Sequence, residues 1–309
     1  MLKYAIDINK YKDRDQRKDY HEEYQYLNLL KDLMEYGHDE EGRNGRVQTG
    51  IGSAMHFSLQ NGQIPILTTK KTAWKTCLKE LLWFIRGDTS NKRLNECGVH
   101  IWDANTTREF LDSRGLNDYE EGDIGSLYGF TWRFWNAPYE GCNADYQRKG
   151  IDQLENVIKM LKDPEQRSSR RMIISAWNVE QLDTGCLPPC HVLFQFNVID
   201  GKKLSCSLYQ RSVDEACGKS FNIASYSFLV HLLAKHCDLE PYEFIHYGSN
   251  CHIYSDHLDA MKEQITRTPY PFPTVEIVNK RDNINDYVLE DFKIHNYDHH
   301  AAIKLKMVA

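Results

Sequence analysis

The chain has 309 residues, of which 41% are apolar, 27% charged and 12% aromatic, and its formal net charge is −6. This suits a soluble globular fold of one large or two small domains. Net negative charge with no long Lys/Arg block argues against broad binding to duplex nucleic acid or a membrane surface, where many phosphates must be neutralised. Nine cysteines, odd in number and scattered, do not read as a disulfide framework, the N-terminus has no apolar leader pattern, and the longest apolar run, residues 81–85, is far too short for a bilayer. The expectation is a non-secreted protein of a reducing compartment: the cytoplasm, or the nucleus or host cytoplasm for a viral chain.

Residues 1–22 are polar and charged and read as a flexible tail; residues 23–309 read as one folded domain. Tyr26, Leu29, Leu30, Leu33 and Met34 share one helical face, with Gly37 as the stop. Gly42-Arg43-Asn44-Gly45-Arg46 opens a glycine-rich loop reaching about Gly52. It is either a plain surface turn or an anion loop that uses backbone N–H groups and Arg43. Thr72 is placed to cap a helix running to about Arg86, with Gly87 behind it. Apolar residues cover most of that helix, so Glu80 inside it must find a partner, lie on a wet edge or stay protonated. In the last case it is a poised acid–base group with a raised pKa.

Residues 98–105 look like a strand entering a loop, and residues 121–130 combine turn residues with aromatics, as ligand loops do. Ile151, Leu154, Val157, Ile158 and Leu161 make another helix, closed by Asp163-Pro164. Arg170-Arg171 precede a strand over 172–177. Strands from Val192 and over 204–210 flank Asp200-Gly201, a tight-hairpin signal. Asn222 begins a mostly apolar helix to about Lys235. Residues 242–254 read as a strand, Ser255 as the cap of a helix holding Leu258, Met261 and Ile265, and residues 274–278 as a last strand. The fold class is α+β: a single domain with a large mixed or antiparallel sheet flanked by helices.

Within this frame Leu187-Pro188-Pro189-Cys190-His191 stands out. Two prolines lock the backbone just ahead of a thiol at the mouth of a strand. A lone cysteine is most often a small buried hydrophobe. Downstream, however, come Gln210-Arg211-Ser212-Val213-Asp214, then Phe221-Asn222, then His252-Ile253-Tyr254. A guanidinium, an amide, an imidazole and a phenol are suited to holding a phosphorylated base beside a thiolate. Cys186 and Cys190, flanking Leu-Pro-Pro, make poor zinc geometry without a second pair, and no metal is expected.

From about residue 23 to the C-terminus the chain resembles the thymidylate synthase family. The blocks that carry the resemblance are Glu80-Leu81-Leu82-Trp83-Phe84-Ile85, Ile101-Trp102-Asp103-Ala104-Asn105, Tyr128-Gly129-Phe130, Arg170-Arg171, the Cys190 pentapeptide, Tyr209-Gln210-Arg211-Ser212, Phe221-Asn222-Ile223-Ala224-Ser225-Tyr226 and His252-Ile253-Tyr254. The resemblance implies a sheet-to-sheet homodimer. It also implies reductive methylation of dUMP to dTMP, with 5,10-methylenetetrahydrofolate as co-substrate for both the one-carbon unit and the hydride. Cys190 would be the nucleophile, activated by a nearby Arg211. Asn222 would match uracil O4 and N3–H, and His252 and Tyr254 would bind the sugar hydroxyl. Arg43, Gln210, Arg211 and Ser212 belong to the nucleotide site, with Arg170 and Arg171 reaching in from the other subunit. Glu80 would relay protons, helped by Tyr128. Trp102, Asn105, Asp214, Gly218 and Phe221 fall on the folate side, together with the C-terminal residues Met307 and Ala309, which would close over it. His191, next to Cys190 on a strand, would point away from the thiol.

The chain departs from the family pattern in places. Asn44-Gly45-Arg46 replaces a Thr-Gly-Thr. Cys217-Gly218-Lys219-Ser220 replaces a run of the type Leu-Gly-Val-Pro, which implies a more polar folate wall. Val308-Ala309 replaces Ala-Val. The nearest rival is a pyrimidine hydroxymethylase of the same fold. Trp102, which would shield the exocyclic methylene, argues against it, and a cytosine-specific version would carry Asp in place of Asn222. A silent nucleic-acid-binding dimer is disfavoured by the intact Cys190, Arg211, Asn222 and Glu80 set.

Overall fold

The computed structural model describes residues 21–305 apart from Arg43. The expected tail lies outside the described residues except for His21 and Glu22. Both touch the domain: the Glu22 carboxylate accepts the Ser58 N–H at 2.8 Å, and the His21 ring packs 4.4 Å from Phe272.

In chain order the helices and strands are α1 (Tyr24–Tyr36), β1 (His38–Gly42), β2 (Gly45–Ser58), α2 (Trp74–Ile85), α3 (Asn91–Glu96), α4 (Arg108–Ser113), α5 (Gly129–Arg133), α6 (Gln153–Lys162), β3 (Ile173–Ser175), β4 (His191–Ile199), β5 (Lys203–Asp214), α7 (Gly218–His236), β6 (Glu240–Tyr254), α8 (Leu258–Gln264), β7 (Thr274–Ile277) and β8 (Phe292–His295). Six strands form one mixed sheet in the order β1-β2-β6-β5-β4-β3, and β7 pairs with β8 in a second, two-stranded sheet. All neighbours in the large sheet are antiparallel except β5 and β6. That pair is parallel because α7 connects it, and a parallel pair needs such a crossover. The β4–β5 hairpin turns at Asp200-Gly201 as the dipeptide implies, with both residues at positive φ. α7 lies on the sheet with almost every residue from Ile223 to Ala234 buried, as expected of a helix that is apolar all round. The core beneath it is aromatic: Tyr226 stacks on Phe244 at 5.9 Å and meets Phe194 edge-on at 5.1 Å.

The start of α1 is held by a buried carboxylate. Glu23 is fully buried and accepts four hydrogen bonds, from Thr68 N (2.9 Å), Thr68 Oγ1 (2.7 Å), Thr69 N (2.9 Å) and Thr69 Oγ1 (2.6 Å). Replacing it with alanine leaves two amides and the Thr69 hydroxyl without their acceptor, and the Thr68 hydroxyl with only the Tyr270 carbonyl at 3.3 Å. Glu23→Ala should therefore cost about 2–4 kcal/mol in urea unfolding. A loss below about 1 kcal/mol would show that these donors find other partners.

Several local expectations give way. The glycine-rich segment at Gly42 is a β-hairpin and not an open loop: Gly42 pairs with Gly45, and Arg46 is held by Asp39 through two short contacts. Thr72 does not cap α2. Its N–H donates to the Tyr297 hydroxyl, and Ala73 takes the cap position. Residues 98–105 form turns ending in a 3-10 segment, because Asn91 Nδ2 draws in Asp103 Oδ1 and Thr106 Oγ1. Ser255 begins a 3-10 turn ahead of α8, and its hydroxyl donates to the Arg46 carbonyl. Asn222 sits inside α7, four residues past its first. The Asp214 carboxylate accepts the N–H groups of Ala216 and Cys217 and turns the chain early enough for the helix to begin at Gly218. Strand β8 has no counterpart in the sequence reading.

Candidate active site

A cavity of about 870 Å³ opens beside the N-terminal part of α7. It is bounded by the end of β5, the end of β6, the Leu187–Cys190 corner, α2 and the Ile101–Asn105 turn, with Ile303 and Leu305 at its rim. Cys190, Glu80, Tyr128, Arg211 and Asn222, far apart in sequence, all line it.

Cys190 is half-buried just before β4 begins. Its backbone is clamped from both sides. The N–H donates to the Tyr128 hydroxyl at 2.9 Å, and the carbonyl accepts the Arg211 N–H at 2.9 Å. The Arg211 guanidinium donates to the carbonyls of Pro189 (2.9 Å, from Nε) and Pro188 (2.9 Å, from an Nη), and it lies over the Trp177 ring. The proline pair thus does more than stiffen the turn. Neither proline has an N–H of its own, and their carbonyls hold the guanidinium against the turn that carries Cys190.

Tyr128 precedes α5 with φ of 36°, a region that L residues rarely occupy and that is held under strain at functional sites. The next residue must be glycine, since a Cβ at Gly129 would come within 2.7 Å of the Phe84 carbonyl on α2. Burial raises the Tyr128 pKa well above its usual value, the proximity of Cys190 adding to it, so the phenol remains a neutral donor and acceptor.

Glu80 accepts a hydrogen bond from Trp102 Nε1 at 2.7 Å. Desolvation dominates its titration. It is pushed up to about 7, with the indole N–H pulling in the opposite direction. Trp102 meets the Tyr128 ring edge-on at 6.2 Å, so carboxyl, indole and phenol form one wall. Asn105 is buried beside them, and its Nδ2 has no protein partner among the described residues.

Asn222 is tied down at both ends of its amide. Oδ1 accepts from Gln210 Nε2 at 3.1 Å, and Nδ2 lies 2.9 Å from His191 Nε2. His191 packs between Tyr128 and Tyr226 at ring distances of 5.2 and 5.3 Å, and burial lowers its pKa to about 4, so it is neutral and accepts from Asn222.

A thiol on a proline-locked corner, an elevated carboxyl group and a doubly anchored amide share one cavity. The family model for thymidylate synthase matches residues 24–309. The chain belongs to the thymidylate synthase family. It is 46% identical over 292 residues to a thymidylate synthase of Ascaris suum and over 292 residues to one of Herpesvirus ateles, alignments that take in 93% of this chain and 97% and 98% of those proteins. It is 48% identical to a bifunctional dihydrofolate reductase-thymidylate synthase of Plasmodium chabaudi over 94% of this chain, and it spans about half (49%) of that longer relative.

The remaining residues singled out on the thymidylate synthase resemblance fall into three groups. Ser212, Asp214, Gly218, Phe221, His252 and Tyr254 line the same cavity, as does Gln210. His252 and Asp214 lie side by side across β5 and β6, and His252 Nδ1 is 2.9 Å from Asn250 Oδ1. Arg170 and Arg171 are exposed just before β3 and do not line the cavity. Arg43, Met307 and Ala309 lie outside the described residues, although Gly42, Asn44 and Leu305 do line the cavity.

Two residues were not anticipated in these positions. Lys70 lines the cavity almost fully buried, its Nζ donating to the Ala216 carbonyl, with burial lowering its pKa to about 8. It sits in Thr68-Thr69-Lys70-Lys71-Thr72, a run that reads as solvated and carries no signal of burial. Lys219, expected to make the folate wall more polar, is instead fully buried and does not line the cavity. Asp214, Cys217 and His257 each place one potential metal-ligand atom within 4.8 Å of the others. One Asp214 oxygen in that group already accepts two backbone N–H bonds. Among the described residues no helix is long and apolar enough to cross a membrane, and none of the nine cysteines is in a disulfide.

Proposed function

We propose that this protein is a thymidylate synthase that methylates dUMP to dTMP, with 5,10-methylenetetrahydrofolate as co-substrate. The observation that carries the reading is the convergence of Cys190, Glu80 and Asn222 on one cavity. Carbon 5 of uracil is a poor nucleophile. Addition of the Cys190 thiolate to carbon 6 makes the ring an enolate and gives carbon 5 the electron density to attack. Asn222 reads the base, its Nδ2 donating to O4 and its Oδ1 accepting from N3–H. Glu80, with a pKa near neutrality, moves the proton that the enolate oxygen and the carbon 5 hydrogen require, and Tyr128 holds the Cys190 backbone in register. As the carbon 5 proton leaves, the bond between the transferred carbon and the co-substrate nitrogen breaks, leaving an exocyclic methylene on carbon 5. Hydride from the co-substrate adds to that methylene to complete the methyl group, and the Cys190 thiolate is expelled from carbon 6 as the ring double bond re-forms.

The co-substrate supplies the one-carbon unit and the hydride and leaves as dihydrofolate. Trp102, Phe221, Gly218, Asp214 and the unpartnered Asn105 amide fit a flat polar heterocycle stacked beside the base, and a cavity of about 870 Å³ is larger than one nucleotide needs. Ser212, Arg211, Gln210 and Arg43 bind the phosphate side, and His252 and Tyr254 bind the sugar. No metal takes part.

The protein acts as a homodimer packed sheet to sheet, with Arg170 and Arg171 of the partner subunit completing the phosphate site. In support, neither arginine lines its own cavity, and Ile173, Ile199 and Tyr209 leave large apolar surface exposed along β3–β5. A reducing compartment such as the cytoplasm suits the free thiols.

Incubating the protein with dUMP and methylenetetrahydrofolate should produce dihydrofolate, read by absorbance. Methylene consumption without dihydrofolate would point to hydroxymethylation instead, and neither change would remove the assignment. Mixing inactive Cys190→Ala with inactive Arg170→Ala subunits should restore part of the activity. No recovery after verified subunit exchange would rule out the shared site.

A further inference from the structure

Lys219 is fully buried near the start of α7 and does not itself line the cavity. Its Nζ is 3.0 Å from His246 Nδ1 and 3.6 Å from Glu215 Oε1, and both of those residues are fully buried too. From there the contacts run toward the cavity. His246 Nε2 is 2.9 Å from Gln210 Oε1. Gln210 Nε2 is 3.0 Å from the Ser212 carbonyl and 3.1 Å from Asn222 Oδ1. Asn222 Nδ2 is 2.9 Å from His191 Nε2. The parallel pairing of β5 and β6 brings His246 and Gln210 together, and α7, which joins those strands, contributes both Lys219 and Asn222.

The direction of every link follows from its first member. An ammonium group has three donors and no acceptor. Burial holds His246 neutral, and Lys219 beside it works in the same direction. Its Nδ1 must therefore accept, its one proton sits on Nε2, and that proton is donated to Gln210 Oε1. The Gln210 amide then presents its NH₂ to Asn222, which can meet it only with Oδ1. Reversing the Asn222 amide would set two N–H donors against each other.

The geometry points to Lys219 as a positioning residue that fixes, through His246 and Gln210, which end of the Asn222 amide meets which edge of the pyrimidine, and so contributes to selectivity for uracil over cytosine. This rests on the reading of Asn222 as the base-contacting group. Cytosine presents a donor at carbon 4 and an acceptor at N3, the reverse of uracil, and a reversed amide is what it would need. The Ser212 carbonyl draws Gln210 the same way as His246 does, so losing Lys219 loosens the orientation and does not invert it.

Lys219→Met alone would strand Glu215 as a buried carboxylate without its cation. The informative variant therefore combines Lys219→Met with Glu215→Gln, with folding checked by thermal melting. The ratio of kcat/KM for dUMP to that for dCMP should fall about tenfold, the worth of roughly one hydrogen bond to the buried amide. A ratio within about threefold of wild type would overturn the proposal, since a purely structural lysine would alter both nucleotides alike. Imidazole ¹⁵N spectra supply a readout that needs neither turnover nor the variant. Wild-type His246 should carry its proton on Nε2, and a proton on Nδ1 would overturn the wire. Wild-type protein inert toward dUMP would instead defeat the underlying reading, and the tautomer would still be decided.

Discussion

Cys190→Ala should abolish turnover, lowering kcat by about 10⁴-fold or more, while dUMP binding stays within a few-fold of wild type. Removing the group that forms a covalent bond with the substrate typically costs this much, because the remaining site can position but cannot react. The local geometry makes the test clean. Tyr128 is held by the Cys190 backbone N–H, and the Cys190 carbonyl accepts from the Arg211 N–H. The Arg211 guanidinium is held by the Pro188 and Pro189 carbonyls. None of these contacts uses the thiol, so alanine removes the sulfur and leaves the corner standing. Isothermal titration with dUMP, run beside a methylation assay, checks both halves. Residual turnover above a few per cent of wild type would mean that another group serves as nucleophile.

Glu80→Gln should lower kcat by about 10²- to 10⁴-fold, the range for a positioned general acid–base group. The wild-type pH–rate profile should bend near pH 7, following Glu80, and the variant should lose that bend. Trp102→Phe should move it upward, because the indole N–H is the contact that favours the carboxylate. The same group predicts a stability signature. A carboxyl whose folded pKa exceeds its unfolded value binds more protons in the folded state, so its charged form opposes folding. That penalty is absent below about pH 4, grows as pH rises toward 7 and is complete above it. Glu80→Gln should therefore raise the melting temperature at pH 8 relative to wild type and not at pH 4. An unchanged difference between the two pH values would mean that Glu80 is solvated in the folded protein, and its role as a poised acid would fall.

Much of the candidate site could be read from residue types and their order. A proline-locked thiol, a carboxylate inside an apolar helix, and an amide and an arginine downstream each carry their chemistry in one dimension. The hairpin at Asp200-Gly201 and the burial of α7 were legible for a similar reason, since turn chemistry and an uninterrupted apolar stretch are local signals. Helix starts were less legible. Asn222 looked like a beginning because an amide is a good cap, but the Asp214 carboxylate had already turned the chain.

What the sequence determined by itself was which groups exist, on which elements, and hence the family and the chemistry open to it. Only the tertiary structure decided how those groups are tuned. The pKa of Glu80 depends on burial against Trp102, 22 positions away. The donors to Glu23 lie 45 and 46 positions away, and the direction of the Asn222 amide depends on a lysine acting through His246, on the far strand of a parallel pair. Lys219 and Lys70 both sit in polar surroundings in sequence and are buried in the fold. Local pattern reports the face a residue turns to its own neighbours. Desolvation and hydrogen-bond direction are set by residues that meet only when the sheet and its crossover helix close.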